Sequence, residues 1–151
     1  MKTIFITYCS KEKDESSELL EAIKRYKSNR IQKVYKTSQL VTVDFMILSG
    51  EFGLLKSTDK IPYYDHLLLM EEVNKYTKKL IKQLVEINNT RPRLREPQAS
   101  EKNKEKIRIV FFTEYLKNDV NLKPYQISIK TACDKLNIKF IMIEMEKEVN
   151  F

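Results

Sequence analysis

Apolar residues cluster in four short segments of the chain, and each segment is rich in β-branched or aromatic side chains. Runs of this kind, bounded by polar residues, predict buried β-strands. The predicted strands are residues 2–8, 43–48, 106–113 and 138–144. Between the strands, apolar residues recur at helical spacing, which predicts amphipathic helices at residues 14–26, 67–87 and 123–136.

The alternation of strands with helices indicates the fold class. Strands separated by helices form βαβ units, which assemble into a parallel sheet covered on both faces. We therefore predict a single α/β domain over residues 1–151, with a mostly parallel sheet of about four strands and helices on both faces.

Residues 89–105 interrupt this pattern, because they hold two of the four prolines and many charges. They predict a mobile basic loop on the surface. Arginines 91, 93 and 95 in this loop could bind phosphate groups; alternatively, the loop is a solvated linker without a ligand.

Charge and composition narrow the classes of partner. The chain has 28 basic and 21 acidic residues, which gives a net charge of +7 and permits a nucleic-acid or phosphate partner. A genome biased toward lysine, isoleucine and asparagine would explain the same charge.

No apolar run approaches the ~20 residues that cross a bilayer, and the first residues enter a strand rather than a signal peptide. We therefore expect a cytoplasmic protein without membrane contact.

The cysteines and the histidine exclude several kinds of site. Cys9 and Cys133 are too few for a disulfide framework, and the chain has no CxxC motif or Cys/His cluster. The sole histidine, His66, nearly excludes histidine triads and histidine-based metal sites. No metal and no cofactor is predicted.

The position of a ligand site follows from the predicted sheet. In parallel sheets, ligands bind beyond the carboxyl ends of the strands, where residues 8–11, 49–55 and 113–115 should meet. Both glycines of the chain, Gly50 and Gly53, lie in the second of these loops. The chain has no other glycine, which indicates that the backbone conformation of this loop requires glycine, so at least one of the two should have a positive φ. The loop is either a plain tight turn or a segment that lets a ligand approach closely.

Two of these loops carry candidate chemical groups. Ser49 and the backbone N–H groups up to Gly53 could form a nest for an anion or a base edge, whereas the absence of a GxxxxGK[ST] motif disfavours an ordinary nucleoside triphosphatase. Glu51 is a candidate general acid or base, or a solvated carboxylate. Cys9 is a candidate nucleophile, or an inert buried thiol, and Ser10 would line the same wall.

Residues 63–65 follow Pro62, which pre-sets a turn. Tyr63 or Tyr64 could stack on a base, and Asp65 could accept hydrogen bonds from ribose hydroxyls or base N–H groups. Alternatively, Asp65 caps the following helix while the tyrosines pack against its first turn. The catalytic candidates are Glu51, Asp65 and Cys9. The candidate ligand-binding residues are Cys9, Ser10, Ser49, Gly50, Gly53, Tyr63, Tyr64 and Asp65.

Several segments resemble a bacterial domain family of unknown function with the pattern LY, then LSAKYGLL, then PYD. The matching runs are YKTS at residues 35–38, ILSGEFGLL at 47–55 and IPYYD at 61–65, and CSKEK at 9–13 is similar to the family's opening CSxxK. The chain departs from the pattern at Gly50-Glu51-Phe52, where the family has Ala-Lys-Tyr.

Related proteins are the YaaA-type peroxide-stress proteins and a domain of archaeosine synthase, which carry a similar SxxYGL segment. The resemblance covers roughly residues 2–70. It implies association with nucleic acid, or handling of a nucleobase such as a deazapurine.

Residues 5–13, FITYCSKEK, are also similar to the opening of TIR domains, some of which cleave NAD. We expect a domain that recognises a nucleobase, a nucleoside or a nucleic acid, and a reaction at a glycosidic bond or in base modification is a further hypothesis. The alternative is a non-catalytic DNA- or RNA-binding stress-response protein. A TIR-like NAD-cleaving domain is the third hypothesis, since the glycine loop and residues 62–65 are not TIR features.

Overall fold

A computed structural model describes residues 1–89 and 106–146 of the chain. The strands are β1 (Lys2–Tyr8), β2 (Leu20–Glu21), β3 (Asp44–Ser49), β4 (Gly53–Lys56), β5 (Lys60–Ile61), β6 (Ile107–Glu114) and β7 (Lys139–Met145). The helices are α1 (Ala22–Arg25), α2 (Asn29–Leu40), α3 (Val73–Asn89) and α4 (Lys123–Lys135). The predicted basic loop at about 89–105 lies outside the described residues, apart from Asn89, which ends α3.

The main sheet has five strands in the order β4-β3-β1-β6-β7. Strands β3, β1, β6 and β7 run parallel, and β4 is antiparallel to β3. The α/β fold with a mostly parallel sheet is therefore confirmed, with five strands instead of four. The additional strand, β4, is four residues long and begins at the second glycine of the loop, so its apolar run was too short to stand out.

Helices cover both faces of this sheet. On one face, α3 and α4 pack over an apolar core that includes Ile4, Ile6 and Phe111. On the other face, α2 packs over a second core that includes Phe45 and Ile47. Burial of the two cores is the main favourable contribution to folding, since each buried aliphatic side chain contributes about 1.5–3 kcal/mol.

The predicted helix at residues 14–26 is wrong for most of its length, because α1 is helical only at Ala22–Arg25. The cause is Arg25, whose side chain is fully buried. Its guanidinium donates hydrogen bonds to four backbone carbonyls, those of Asp14, Ser16, Glu18 and Ile61. Carbonyls that bind Arg25 do not complete helical turns, so residues 14–18 form an irregular segment instead.

The helix α2 was not predicted. Its N-cap is Ser28, whose hydroxyl accepts a hydrogen bond from the Ile31 N–H. This serine cap precedes an apolar pair, Ile31 and Val34, which are buried three residues apart. The cap and the spacing were the signals in the sequence.

The connections diverge at β1. The chain leaves β1 through α2 to reach β3 on one side, and later returns through α3 to β6 on the other side. Open α/β sheets bind ligands at such a switch point, beyond the carboxyl ends of the strands. Here those ends are Tyr8 of β1 and Glu114 of β6.

Among residues 1–89 and 106–146, no helix has the combination of length and apolar character that a bilayer crossing requires.

Candidate functional site

A cleft of about 1460 Å³ opens at the carboxyl ends of β1 and β6. It therefore coincides with the switch point of the sheet. Among the residues predicted to form a site, Cys9, Ser10 and Asp65 line this cleft. The other candidates (Ser49, Gly50, Glu51, Gly53, Tyr63 and Tyr64) are not part of its lining.

The floor of the cleft is built around Tyr8 and Arg30. The guanidinium of Arg30 lies 3.5 Å from the centre of the Tyr8 ring, and it donates a 2.8 Å hydrogen bond to the Tyr8 carbonyl. Arg30 also donates to the hydroxyl of Thr7. Burial raises the pKa of Tyr8 to about 12, against a lowering effect of Arg30, so the phenol is neutral at physiological pH. The rule for parallel sheets placed Tyr8 at this edge, whereas no sequence pattern singled out Arg30.

A network of hydroxyl groups lies beside this floor. The Tyr64 hydroxyl is 2.5 Å from the Tyr26 hydroxyl and 2.8 Å from the Ser49 hydroxyl. Tyr76 donates a 2.6 Å hydrogen bond to the Ser49 carbonyl. Burial raises the pKa of Tyr26, of Tyr64 and of Tyr76, so these phenols remain neutral donors. Of these residues only Tyr26 reaches the cleft lining, and the network supports the cleft from below.

Cys9 is half-buried at the end of β1. Its thiol donates a hydrogen bond to the Tyr125 hydroxyl over 3.7 Å, and that hydroxyl accepts a second hydrogen bond from the Leu68 N–H. Burial raises the pKa of Tyr125, so the partner of the thiol is a neutral phenol rather than a general base. Cys9 therefore lines the cleft, and its hydrogen-bond partner among the described residues is not a base that would activate the thiol as a nucleophile.

The glycine loop has structural reasons for its glycines. Gly53 has a φ of 74°, which confirms the predicted positive φ, and a Cβ there would collide with the Gln83 amide. A Cβ on Gly50 would lie 2.7 Å from the Tyr125 hydroxyl and 3.0 Å from the His66 carbonyl. The N–H groups of Glu51 and Phe52 donate to the Ser49 hydroxyl, so the proposed nest is filled by the loop's own side chain.

His66 forms a contact that the sequence did not reveal. Its Nδ1 lies 2.5 Å from a Glu51 carboxylate oxygen, and its Nε2 lies 2.8 Å from a Glu72 carboxylate oxygen. The hydrogen bonds that the imidazole donates to Glu51 and then to Glu72 raise the pKa of His66. The Leu69 N–H and then His66 lower the pKa of Glu72. Glu51 is thereby fixed on the imidazole, outside the cleft lining.

Residues 63–65 separate into three environments. Tyr63 is 46% exposed, whereas the Tyr64 ring packs edge-on against Phe52, with the Lys13 ammonium 4.7 Å from its centre. Asp65 is exposed at the cleft. It does not cap α3, because a 3₁₀ turn at Met70–Glu72 precedes that helix, and the predicted start at residue 67 is too early.

The charges that line the cleft are segregated. The segment 11–33 contributes Lys11, Lys13, Lys24, Lys27, Arg30 and Lys33, together with Glu12. The second wall, from the segments that follow β5, β6 and β7, contributes Asp65, Glu114, Asp119 and Glu146, together with His66, whose imidazole is paired with Glu51 and Glu72. Within the described lining, that second wall contains no lysine or arginine.

No family model, no curated protein and no solved structure matches this chain. The class that the structure defines is an α/β domain with a cleft at its topological switch point. Across the described ranges 1–89 and 106–146, no three acidic, cysteine or histidine side chains come together in a way that could hold a metal ion.

Proposed function

We propose that the cleft recognises a nucleobase or nucleoside, either as a small molecule or at the end of a nucleic acid. The observation that carries this proposal is the cleft at the β1/β6 switch point. Its volume of about 1460 Å³ exceeds the ~300–1,000 Å³ of ordinary small-molecule sites, so it has room for a base with its sugar.

The lining offers the kinds of contact that a nucleoside needs. Asp65 and Glu114 can accept hydrogen bonds from base N–H groups or ribose hydroxyls, and Ser10 can donate or accept. Leu67, which is 48% exposed, and Met145 offer apolar surface to a base. Since Tyr63 and Tyr64 lie outside the lining, the proposed recognition depends on hydrogen bonds from the polar edges of the ligand and on apolar contacts with the base, and not on stacking on a tyrosine.

A reaction at a glycosidic bond or in base modification is an extension of this proposal. Asp65 is the candidate carboxylate for it, because its side chain is exposed in the cleft. Glu51 is held by His66, and Cys9 contacts a neutral phenol. The resemblance to the LSAKYGLL family supports the choice of a nucleobase ligand, and membership of that family remains part of the proposal.

The alternative function is non-catalytic binding of DNA or RNA. The net charge of +7 and the six basic residues along one wall of the cleft favour it. A nucleic-acid-binding module would show an affinity that falls steeply with salt and is indifferent to a single base.

The test is a binding panel measured by ligand-observed NMR on the purified chain. The panel contains the free bases, including a deazapurine, the four ribonucleosides, NAD, and a single-stranded oligonucleotide. We expect at least one base or nucleoside to bind, and the Asp65→Asn variant to bind it roughly tenfold more weakly. Binding of the oligonucleotide alone, with a steep salt dependence, would support the alternative instead. Cleavage of NAD would support the TIR-like hypothesis.

A further inference from the structure

The two walls of the cleft differ in charge, and this difference constrains the ligand beyond the proposed function. The basic wall includes three exposed lysines, Lys11, Lys27 and Lys33. Within residues 1–89 and 106–146, none of these three ammonium groups forms an ion pair. Lysines that line one concave surface give it a positive potential that attracts an anion, and Glu12 is the one carboxylate that the segment 11–33 adds to the described lining.

The start of α2 strengthens the same wall. Ser28 and Asn29, at the N-terminal end of this 12-residue helix, line the cleft beside the lysines. The first turn of α2 contains no acidic residue, so no carboxylate of the helix offsets the partial positive charge of its N-terminus. Backbone N–H groups at a helix start and nearby ammonium groups are the groups that hold phosphate in proteins.

The second wall of the cleft has the complementary charge. Asp65, Glu114 and Asp119 would repel a phosphate but accept hydrogen bonds from sugar hydroxyls and base N–H groups. One Asp119 oxygen already accepts from the Asn121 N–H, which orients that carboxylate. A ligand with an anionic end and a donor-rich end fits both walls at once, and in one orientation.

We propose that the cleft takes a phosphorylated nucleoside, with the phosphate on the wall formed by Lys11, Lys27, Lys33 and the start of α2, and with the sugar and base toward Asp65 and Glu114. This inference rests on the proposed function and adds the phosphate and the orientation. Two sources share this chemistry, a free mononucleotide and the terminal phosphate of a nucleic acid.

The test compares each ribonucleoside with its 5′-monophosphate by titration calorimetry. The expected result is that a monophosphate binds at least about tenfold more tightly than its nucleoside, the effect of one charge-assisted contact or more. The Lys27→Gln/Lys33→Gln variant should lose most of this advantage and keep the nucleoside affinity. The matched control is Lys78→Gln/Lys82→Gln, which removes the same charge from exposed positions on α3 outside the cleft and should bind like the wild type.

The outcomes separate this inference from the proposed function. Equal affinity for nucleoside and monophosphate would overturn the phosphate wall and leave nucleoside recognition intact. Equal affinity for ribose 5-phosphate and a nucleoside monophosphate would support the phosphate wall and contradict nucleobase recognition. A tetranucleotide with and without a 5′-phosphate identifies the source: a phosphate-dependent preference for it over the mononucleotide supports a nucleic-acid end, and the reverse supports a free nucleotide.

Discussion

The hydroxyl of Ser49 lies 2.8 Å from the hydroxyl of Tyr64, and this contact joins the glycine loop to the segment that follows Pro62. The same serine hydroxyl accepts from the N–H groups of Glu51 and Phe52. One buried oxygen therefore fixes the shape of the loop and its distance from Tyr64. The serine and tyrosine of the two matching sequence runs are thus structural partners beneath the cleft.

Ser49→Ala should destabilise the protein by about 2 kcal/mol, because two N–H groups and the Tyr64 hydroxyl would lose their partner in a buried setting. Tyr64→Phe should cost about 1 kcal/mol, since it removes one hydroxyl from the network. Urea unfolding monitored by circular dichroism measures both values. Tyr63→Phe is the control, because Tyr63 is exposed, and it should change the stability by less than about 0.5 kcal/mol. A Ser49→Ala protein as stable as the wild type would contradict the role given to this hydroxyl.

Gly53→Ala should destabilise the protein by at least about 1 kcal/mol, since its φ of 74° is unfavourable for a residue with a Cβ. The added Cβ would also meet Gln83, whose amide binds the Leu54 N–H. The Gln83→Ala background separates the two effects, because it removes the collision and leaves the φ unchanged. We expect a cost of about 1 kcal/mol to persist in that background. If the cost vanishes there, the collision alone explains the glycine.

The positions of the strands were predictable, whereas the function of the glycine loop was not. Strand β1 matched its prediction at both ends, because a continuous run of β-branched and aromatic residues is typical of a buried strand. The rarity of glycine correctly predicted a positive φ for at least one of the two glycines, and Gly53 has it. That the loop lies against Gln83 and Tyr125 depends on contacts across 29 or more residues, for which a local pattern carries no signal.

The cleft itself shows the same division. The rule for parallel sheets named residues 8–11 and 113–115, of which Cys9, Ser10 and Glu114 line the cleft, but it also named residues 49–55, which are not part of the lining. The basic wall was missed because residues 14–26 were assigned to one helix and α2 was not assigned at all. Arg25 decides the first of these points, and its role could not be deduced from spacing, because its four acceptors are backbone carbonyls.

Arg25→Met should destabilise the protein by about 3 kcal/mol or more, because four carbonyls would lose charge-assisted hydrogen bonds in a buried site. The loss should be concentrated in residues 14–18, which these bonds hold in place. Hydrogen exchange followed by mass spectrometry would show faster exchange in that segment than in β6. Arg108→Met is the comparison: this arginine binds only the Thr3 hydroxyl among the described contacts, and its loss should cost less. Equal costs for the two variants would contradict the role of Arg25.

The pKa of His66 should lie above its usual 6.5, because hydrogen bonds to the carboxylates of Glu51 and Glu72 favour the imidazolium. The chain has a single histidine, so its NMR resonance is unambiguous through a pH titration. Glu72→Gln should lower the pKa of His66, since it removes one of the two carboxylates. An unchanged titration in that variant would show that Glu72 does not act on the imidazole.

The same contact should contribute to stability within a defined pH window. The raised pKa of His66 contributes stability that is fully present below pH 6.5 and is lost as the pH rises through the folded-state value. The lowered pKa of Glu72 contributes stability that is present above pH 4.5 and is lost as the pH falls. The advantage of the wild type over His66→Asn, measured by urea unfolding, should therefore be largest between these two values. A larger advantage at pH 9 would reverse the expected sign.

Asp65→Asn separates ligand contact from folding. Asp65 is exposed and precedes the start of α3 at Val73, and no hydrogen bond of its carboxylate is present among the described residues. Its replacement by asparagine should therefore change the free energy of unfolding by less than about 0.5 kcal/mol. In the cleft, however, the change removes the negative charge that accepts hydrogen bonds from a ligand's N–H or hydroxyl groups. Loss of the carboxylate should weaken nucleoside binding by roughly tenfold, the cost of one charge-assisted hydrogen bond.

Titration calorimetry with the nucleoside that binds the wild type measures this effect, and Asp59→Asn is the matched control for binding. Asp59 accepts a hydrogen bond from the Lys56 N–H and is not part of the cleft lining, so its variant should bind like the wild type. Asparagine at residue 65 retains a carbonyl acceptor, so a residual affinity is expected and Asp65→Ala should bind more weakly still. If both variants at residue 65 bind like the wild type, the ligand does not reach this wall, and the acidic side of the cleft is a solvated surface.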